Sequence, residues 1–181
     1  MSDFHIISTV LGKDGCVGDE RCNVYIQQME DILVGKYFFS GEEPEPEILE
    51  CAYIDLAFES FDEYKQLVKK VSKGNSVRRA NIAKKNGFYS KIINPNQYVD
   101  QIVNINISKE VRCGREMAVS YRRSKAEAYE YAGSAIEYKK IVCPNHYDLW
   151  WGVFSQEVLV GYIRLRRNGN YVLFAQILGH G

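Results

Sequence analysis

The fold is decided by the stretch from Leu149 to Leu178, LWWGVFSQEVLVGYIRLRRNGNYVLFAQIL, the most regular part of the chain. Apolar and polar side chains alternate through much of it, and turn-forming residues interrupt it at 155–157 and at Asn168-Gly169. Alternation with a period of two is typical of strands, and Asn-Gly is typical of a tight hairpin. The stretch therefore predicts a meander of three antiparallel strands, at 147–154, 158–166 and 171–178.

Helices are predicted upstream of the meander, each at a recognisable start. Ser60 and Glu63 have the spacing of a capping box, and lysines fill the last turn of the same segment, which complements the helix dipole. Because helices precede a run of strands, the sequence predicts an α/β (α+β) fold with a mixed, mainly antiparallel sheet. The other predicted elements are a strand at 6–11, a helix or strand at 23–33, strands at 48–58, 88–93 and 136–143, and helices at 61–73, 77–86, 95–107 and 118–131.

The length and composition fit one compact domain. The chain has 181 residues, of which 46% are apolar and 25% charged, so it can bury a sizeable core. No apolar run approaches the roughly 20 residues that cross a bilayer, and the first residues lack the order of a signal peptide. We therefore expect a soluble, cytoplasmic protein. Residues 1–59 are predicted to form an acidic segment with strands, and residues 60–181 carry the helices and the meander.

The formal net charge of zero conceals a segregation of charge along the chain. Residues 1–63 carry 15 acidic and 3 basic side chains, whereas residues 64–91 carry 9 basic and no acidic ones. Such a basic block attracts phosphate, in a nucleotide, a phosphopantetheine carrier or RNA, or it neutralises the acidic segment of the same molecule. Aromatic residues at its ends offer stacking surfaces to nucleic-acid bases. The candidate phosphate-binding residues are Arg78, Arg79, Lys84 and Lys85.

The cysteines and histidines give no recognisable metal-binding motif. The five cysteines are odd in number, and no two of them have the Cys-x-x-Cys spacing of zinc knuckles. The three histidines, His5, His146 and His180, are scattered along the chain. Such cysteines are typical of buried or idle thiols in a reducing compartment. The sequence therefore predicts no metal centre.

Two motifs, one in the meander and one in a polar loop, carry a family resemblance. The first is Val160-Gly-Tyr-Ile-Arg-Leu165, and the second runs from Ile105-Asn-Ile-Ser through Arg112-Cys-Gly-Arg-Glu-Met to Tyr121. Both resemble segments of the GNAT superfamily of acyl-CoA N-acyltransferases. The loop motif resembles that of uncharacterised GNAT-like proteins, some of which are related to the FemAB type. The resemblance covers residues 76–181. It implies transfer of an acyl group from acetyl-CoA, another acyl-CoA or an aminoacyl donor to an amine.

The chemistry that this resemblance implies needs few protein groups. An amine attacks a thioester, a base takes the amine proton, and hydrogen-bond donors stabilise the oxyanion. The base comes from varied positions in the superfamily, so the candidates here follow from their location, at the end of the last strand and in the polar loop. The candidate catalytic residues are His180, Glu110 and Glu116, and the candidate substrate-binding residues are Arg112, Arg115, Tyr121 and Trp150.

The resemblance also implies a loop that binds the CoA pyrophosphate after the strand at 171–178. That loop has the form Arg/Gln-x-x-Gly-x-Gly/Ala and uses backbone N–H groups, whereas this chain continues only through Gly179-His180-Gly181. We therefore expect the first half of the fold in an acyltransferase-like chain, and the sequence leaves open whether that chain is active, truncated or inactive. The alternatives are a non-catalytic assembly protein, in which a partner chain pairs with the open sheet edge at 171–178, and a nucleic-acid binder that uses residues 64–91.

Overall fold

The computed structural model describes residues 10–18, 20–33, 58–112, 114–117, 121–122, 124–134 and 143–180. The strands predicted at 6–11, 48–58 and 136–143 fall almost entirely outside these residues. The helices are α1 (Glu20–Leu33), α2 (Phe61–Val71), α3 (Asn75–Lys85), α4 (Val99–Ile107) and α5 (Lys125–Ser134). The strands are β1 (Phe88–Ile92), β2 (Val111–Arg112), β3 (Arg115–Glu116), β4 (His146–Ser155), β5 (Val158–Asn168) and β6 (Tyr171–Gly179).

The main sheet has four strands in the order β1-β4-β5-β6, and every pair of neighbours is antiparallel. A separate hairpin, formed by the two-residue strands β2 and β3, lies in the connection between α4 and α5. The predicted α+β class and the three-stranded meander are therefore confirmed. All pairs among the described strands are antiparallel, in keeping with the predicted, mainly antiparallel sheet.

One face of the sheet is covered by α4, and the main core lies between them. Five buried side chains fill this core: Ile93, Ile105, Phe154, Leu159 and Tyr162. The rings of Tyr89 and Tyr98 pack on Phe154, with centroid distances of 5.3 and 5.5 Å. Leu159 and Tyr162 are three positions apart on β5, and the register irregularity of the β4–β5 pair, between Val153 and Phe154, lets both pack in this core.

Helix boundaries follow capping chemistry more closely than apolar spacing. The Ser60 hydroxyl accepts the Glu63 N–H at 3.2 Å, which confirms the predicted start of α2. The helix predicted at 118–131 instead begins at Lys125, because Ser124 and Glu127 form a reciprocal capping box. The helix predicted at 95–107 is divided into a short 3-10 turn, Pro95–Gln97, and α4.

The turn between β5 and β6 is shifted by one residue from the predicted Asn168-Gly169. Asn168 pairs with Tyr171, so the two turn residues are Gly169 and Asn170. Gly169 has a φ of +57°, which a type II′ hairpin requires at its first central position. An added Cβ there would lie 2.2 Å from the Val10 carbonyl oxygen, so this glycine also permits a close approach of the N-terminal segment.

The last strand is more exposed than its apolar sequence indicates. The sequence predicts a strand covered on both faces, but Val172, Phe174 and Ile177 are about half exposed or more, at 49%, 59% and 63%. Among the described residues, β6 pairs only with β5, so its outer edge has no neighbouring strand there. The sequence therefore overpredicts the burial of this strand. An apolar run does not reveal whether a second layer of structure packs on the strand.

No helix in the described parts of the chain is both long enough and apolar enough to cross a membrane.

Candidate functional site

Arg112 fastens the polar loop to the end of the sheet. Its guanidinium donates to the Gly179 carbonyl at 2.8 Å, to the Ile105 carbonyl at 2.8 Å and to the Ser108 hydroxyl at 2.9 Å. Ile105 lies in the last turn of α4, where its carbonyl also accepts the Ser108 N–H at 3.3 Å and the negative end of the helix dipole attracts a cation. The loop that carries the second motif is therefore in contact with the C-terminal end of β6. That end lies next to β5, the strand that carries the first motif.

A buried tyrosine lies beside this junction. The Tyr162 hydroxyl donates to Asn106 Oδ1 at 2.8 Å, and its ring packs against Trp150 with a centroid distance of 5.3 Å. Burial, reinforced by nearby Tyr121, raises the pKa of Tyr162, although Asn106 and two arginines oppose the shift. Tyr162 is therefore a neutral phenol at physiological pH, and it can donate a hydrogen bond but carries no charge.

Arg112 also presents a donor without an acceptor. Its Nε is buried and has no hydrogen-bond partner among the described residues. Buried polar atoms in folded proteins almost always have a partner, from the protein, from water or from a ligand. The Arg112 Nε is therefore an unsatisfied buried donor at the end of the loop.

The structure brings together only some of the predicted site residues. Arg112, Tyr121 and Trp150 surround Tyr162, and the His180 N–H continues the β6 pairing by donating to the Val160 carbonyl at 2.7 Å. The Glu110 side chain is exposed, and Glu116 is an exposed ion-pair partner of Arg122 at 3.8 Å. The Arg115 side chain lies outside the described parts of the structure. Neither glutamate therefore gains support as a base from its position.

The four basic residues predicted to bind phosphate share one helix. Arg78, Arg79, Lys84 and Lys85 all lie on α3 and are all exposed. Arg78 donates to Asn75 of the same helix at 3.4 Å. Exposed cations on a single helix form an electropositive surface but no enclosed pocket. Their phosphate-binding role stays a prediction.

A second cluster, which the sequence did not predict, lies at the opposite end of β5. Cys16, Cys22, Cys143 and His146 place their ligand atoms within 4.8 Å of one another, and all but Cys16 are buried. The His146 Nδ1 lies 3.4 Å from the Cys143 sulfur and 3.6 Å from the Cys16 sulfur. The prediction of no metal centre rested on spacing along the chain, whereas the fold assembles these four residues from two distant segments.

Local structure explains how each side chain reaches the cluster. Cys143 and His146 are the first and fourth residues of a tight turn with Pro144 at its second position, and the His146 N–H donates to the Cys143 carbonyl at 3.2 Å. Cys22 lies in the first turn of α1, and Cys16 lies in the loop before it. The one sequence signal was therefore Cys143-Pro-Asn-His146, a turn with two potential ligands on one side.

The pKa values of two thiols in this cluster are shifted in opposite directions. Burial opposes ionisation of Cys143, but the N–H groups of Asn145 and Val17, the His146 ring and Cys22 together outweigh burial and lower its pKa to about 6. Burial and the neighbouring thiols raise the pKa of Cys22 to about 12. One ionised thiol thus disfavours ionisation of the next, as expected for like charges in one pocket.

Comparison with protein-family models, with the curated proteins and with the solved structures finds no match to this chain.

Proposed function

We propose that this chain is an N-acyltransferase of the GNAT type, in which the loop at 108–122 and the end of β6 form the site of acyl transfer. The observation that carries the proposal is the hydrogen bond from Arg112 to the Gly179 carbonyl. It fixes the polar loop at the strand end where the family resemblance expects the acyl group.

The proposed reaction forms an amide and releases a thiol. The amine nitrogen attacks the thioester carbon, the C–N bond forms as the C–S bond breaks, and the amine proton passes through a base to the departing thiolate. His180 is the candidate base because it follows β6 directly. Arg112 is a positioning residue, since three acceptors of the protein hold its guanidinium.

Binding of acetyl-CoA to the full chain, measured by calorimetry, is the first test of this proposal, followed by a screen of amine acceptors. We expect Arg112→Lys to lower kcat/KM by about tenfold or more, because lysine keeps the charge but cannot reach several acceptors in a fixed plane. Arg167→Lys is the matched control, since the Arg167 guanidinium donates to the Gly169 carbonyl and the Tyr147 hydroxyl at the opposite end of β5. An absence of acetyl-CoA binding would contradict the proposal.

A second candidate function is assembly through the outer edge of β6. The strand contains no charged residue, and Val172, Phe174 and Ile177 expose apolar surface. An uncharged edge can pair antiparallel with the same edge of a second copy without like-charge repulsion.

Light scattering over a range of concentrations tests this second candidate. We expect a dimer that Phe174→Lys converts to monomer, whereas Val71→Lys, at an exposed apolar position of α2, leaves it intact. A wild-type monomer at all concentrations would exclude pairing between copies.

A further inference from the structure

We propose that Cys16, Cys22, Cys143 and His146 bind one Zn²⁺ ion in a structural centre that joins the segment at 10–33 to the start of β4. The three cysteines are free rather than disulfide-bonded, and the four ligand atoms face one another. Three thiolates and one imidazole are an established ligand set for structural zinc. The centre is independent of acyl transfer, because it lies at the other end of β5.

The distances within the cluster fit a shared tetrahedral ion. Zn–S bonds of about 2.3 Å and Zn–N bonds of about 2.0–2.1 Å place tetrahedral ligands roughly 3.5–3.8 Å apart. The cluster has 3.4 and 3.6 Å between sulfur and Nδ1, and 4.0 Å between the Cys16 and Cys143 sulfurs. A disulfide would need about 2.05 Å between sulfurs. These three separations are close to those of ligands around one cation, and the Cys22 sulfur lies within 4.8 Å of the other three ligand atoms.

The histidine is oriented as a metal ligand. Its Nε2 lies 2.6 Å from the carbonyl oxygen of Leu11, which can only accept a hydrogen bond, so Nε2 carries the proton. The Nδ1 lone pair then faces the cysteine sulfurs. A hydrogen bond from the second ring nitrogen to a carbonyl is how proteins fix the tautomer of a histidine that binds metal.

The Cys143 sulfur is surrounded by donors. The backbone N–H groups of Asn145 and Val17 both donate to it. Donors to sulfur stabilise a thiolate, which is the form that binds zinc, whereas a neutral thiol has little use for them. The turn at 143–146 therefore directs backbone donors at one of the four proposed ligand atoms.

Backbone contacts close the site around this turn. The Gly169 N–H donates to the Asn145 carbonyl at 2.8 Å, and the Asn170 N–H donates to the Val10 carbonyl at 2.9 Å. An added Cβ at Gly12 would lie 2.9 Å from the Asn145 side chain, so the N-terminal segment is pressed against the turn.

Among the side chains that the structure describes, the segment at 10–33 contributes little buried core, and a metal ion would reinforce its attachment. Its buried apolar cluster consists of Leu11, Ile26 and Met29. Across the interface with β5, Arg166 donates to Gln28 and lies over the Tyr25 ring, 4.5 Å from its centroid. Small cores are commonly stabilised by a metal or a disulfide. Four protein ligands leave no open position, which indicates a structural rather than catalytic ion.

The chemistry of the ligands selects the metal. Thiolates are soft ligands that disfavour Mg²⁺, Ca²⁺ and Mn²⁺, and a tetrahedral sulfur-rich set suits Zn²⁺. The probe in the test is therefore zinc, with Co²⁺ as a coloured substitute for the same geometry.

The test is the metal content of the untagged full-length chain after gel filtration without chelator. We expect about one zinc ion per chain in the wild type. Cys143→Ser and His146→Ala should lose it, and His146→Cys should keep it, because it restores a thiolate ligand. Cys113→Ser is the matched control and should keep zinc, since Cys113 is not among the four proposed ligands.

Two results would overturn the zinc centre. One is wild-type protein that holds no zinc and, after refolding, gives no thiolate-to-Co²⁺ absorption on titration with Co²⁺. The other is zinc that survives in both Cys143→Ser and His146→Ala at the wild-type level. If Cys143→Ser does not fold, titration of the wild type and of His146→Cys with Co²⁺ decides whether the zinc centre exists.

Discussion

Removal of zinc by a strong chelator is expected to lower the Tm of the wild-type chain by about 10–20 °C. The expectation assumes a loss of about 5 kcal/mol, less than the full binding free energy of a structural zinc ion. The physical reason is that the ion links two segments that otherwise share few apolar contacts. Differential scanning calorimetry with and without chelator measures the shift.

The loss of stability should be concentrated in α1. Without the ion, the segment at 10–33 keeps only the small cluster around Leu11, whereas the core around Phe154 and Tyr162 is intact. We expect hydrogen exchange of the α1 amides to accelerate by about 100-fold or more, and exchange in β4 and β5 to change far less. Cys143→Ser is the control, because a chelator should have no further effect on it. Equal acceleration throughout the sheet would contradict a local joint.

Gly169→Ala is expected to destabilise the chain by about 3 kcal/mol or more, although it removes no ligand. The new Cβ would lie 2.2 Å from the Val10 carbonyl oxygen and 2.5 Å from the Leu11 carbonyl carbon, both backbone atoms. The N-terminal segment must then move away from the turn at 143–146. The Leu11 carbonyl moves with it and no longer accepts the hydrogen bond from His146. Zinc affinity should fall by about 10–100-fold, which is the typical loss when a group that hydrogen-bonds to a metal ligand is removed.

Gly15→Ala is the matched control for this substitution. Gly15 also has a positive φ, +84°, but an added Cβ there meets nothing within 4 Å. Backbone strain is therefore common to both variants, and only Gly169→Ala adds the clash. Chemical denaturation and competition with a zinc-binding dye measure the two effects. Equal losses in both variants would show that the close approach at Gly169 is unimportant.

The sequence predicts well those features that depend on neighbouring residues. The alternation from Leu149 to Leu178 identified the meander, and the pair Ser60 and Glu63 identified the start of α2. The same rule, applied to Ser124 and Glu127, gives the observed start of α5, whereas the prediction began that helix at 118. The hairpin turn was misplaced by one residue because Asn168-Gly169 resembles a type I′ turn, whereas Gly169 is the first turn residue.

The two sites were not equally visible in the sequence. The loop around Arg112 was singled out by its own motif, yet the sequence offered no reason for its contact with Gly179. The metal cluster was missed because Cys16 and Cys143 are 127 positions apart, and the turn at 143–146 contains one cysteine where a zinc knuckle has two. Long-range assembly of this kind follows from strand pairing and loop packing, which spacing along the chain does not encode.

X-ray absorption at the zinc edge, on the untagged full-length chain, tests the proposed centre most directly. The predicted result is a first shell of three sulfur ligands at about 2.3 Å and one nitrogen at about 2.0–2.1 Å. A shell of only oxygen and nitrogen ligands, or a chain without zinc, would contradict the Cys16, Cys22, Cys143 and His146 centre.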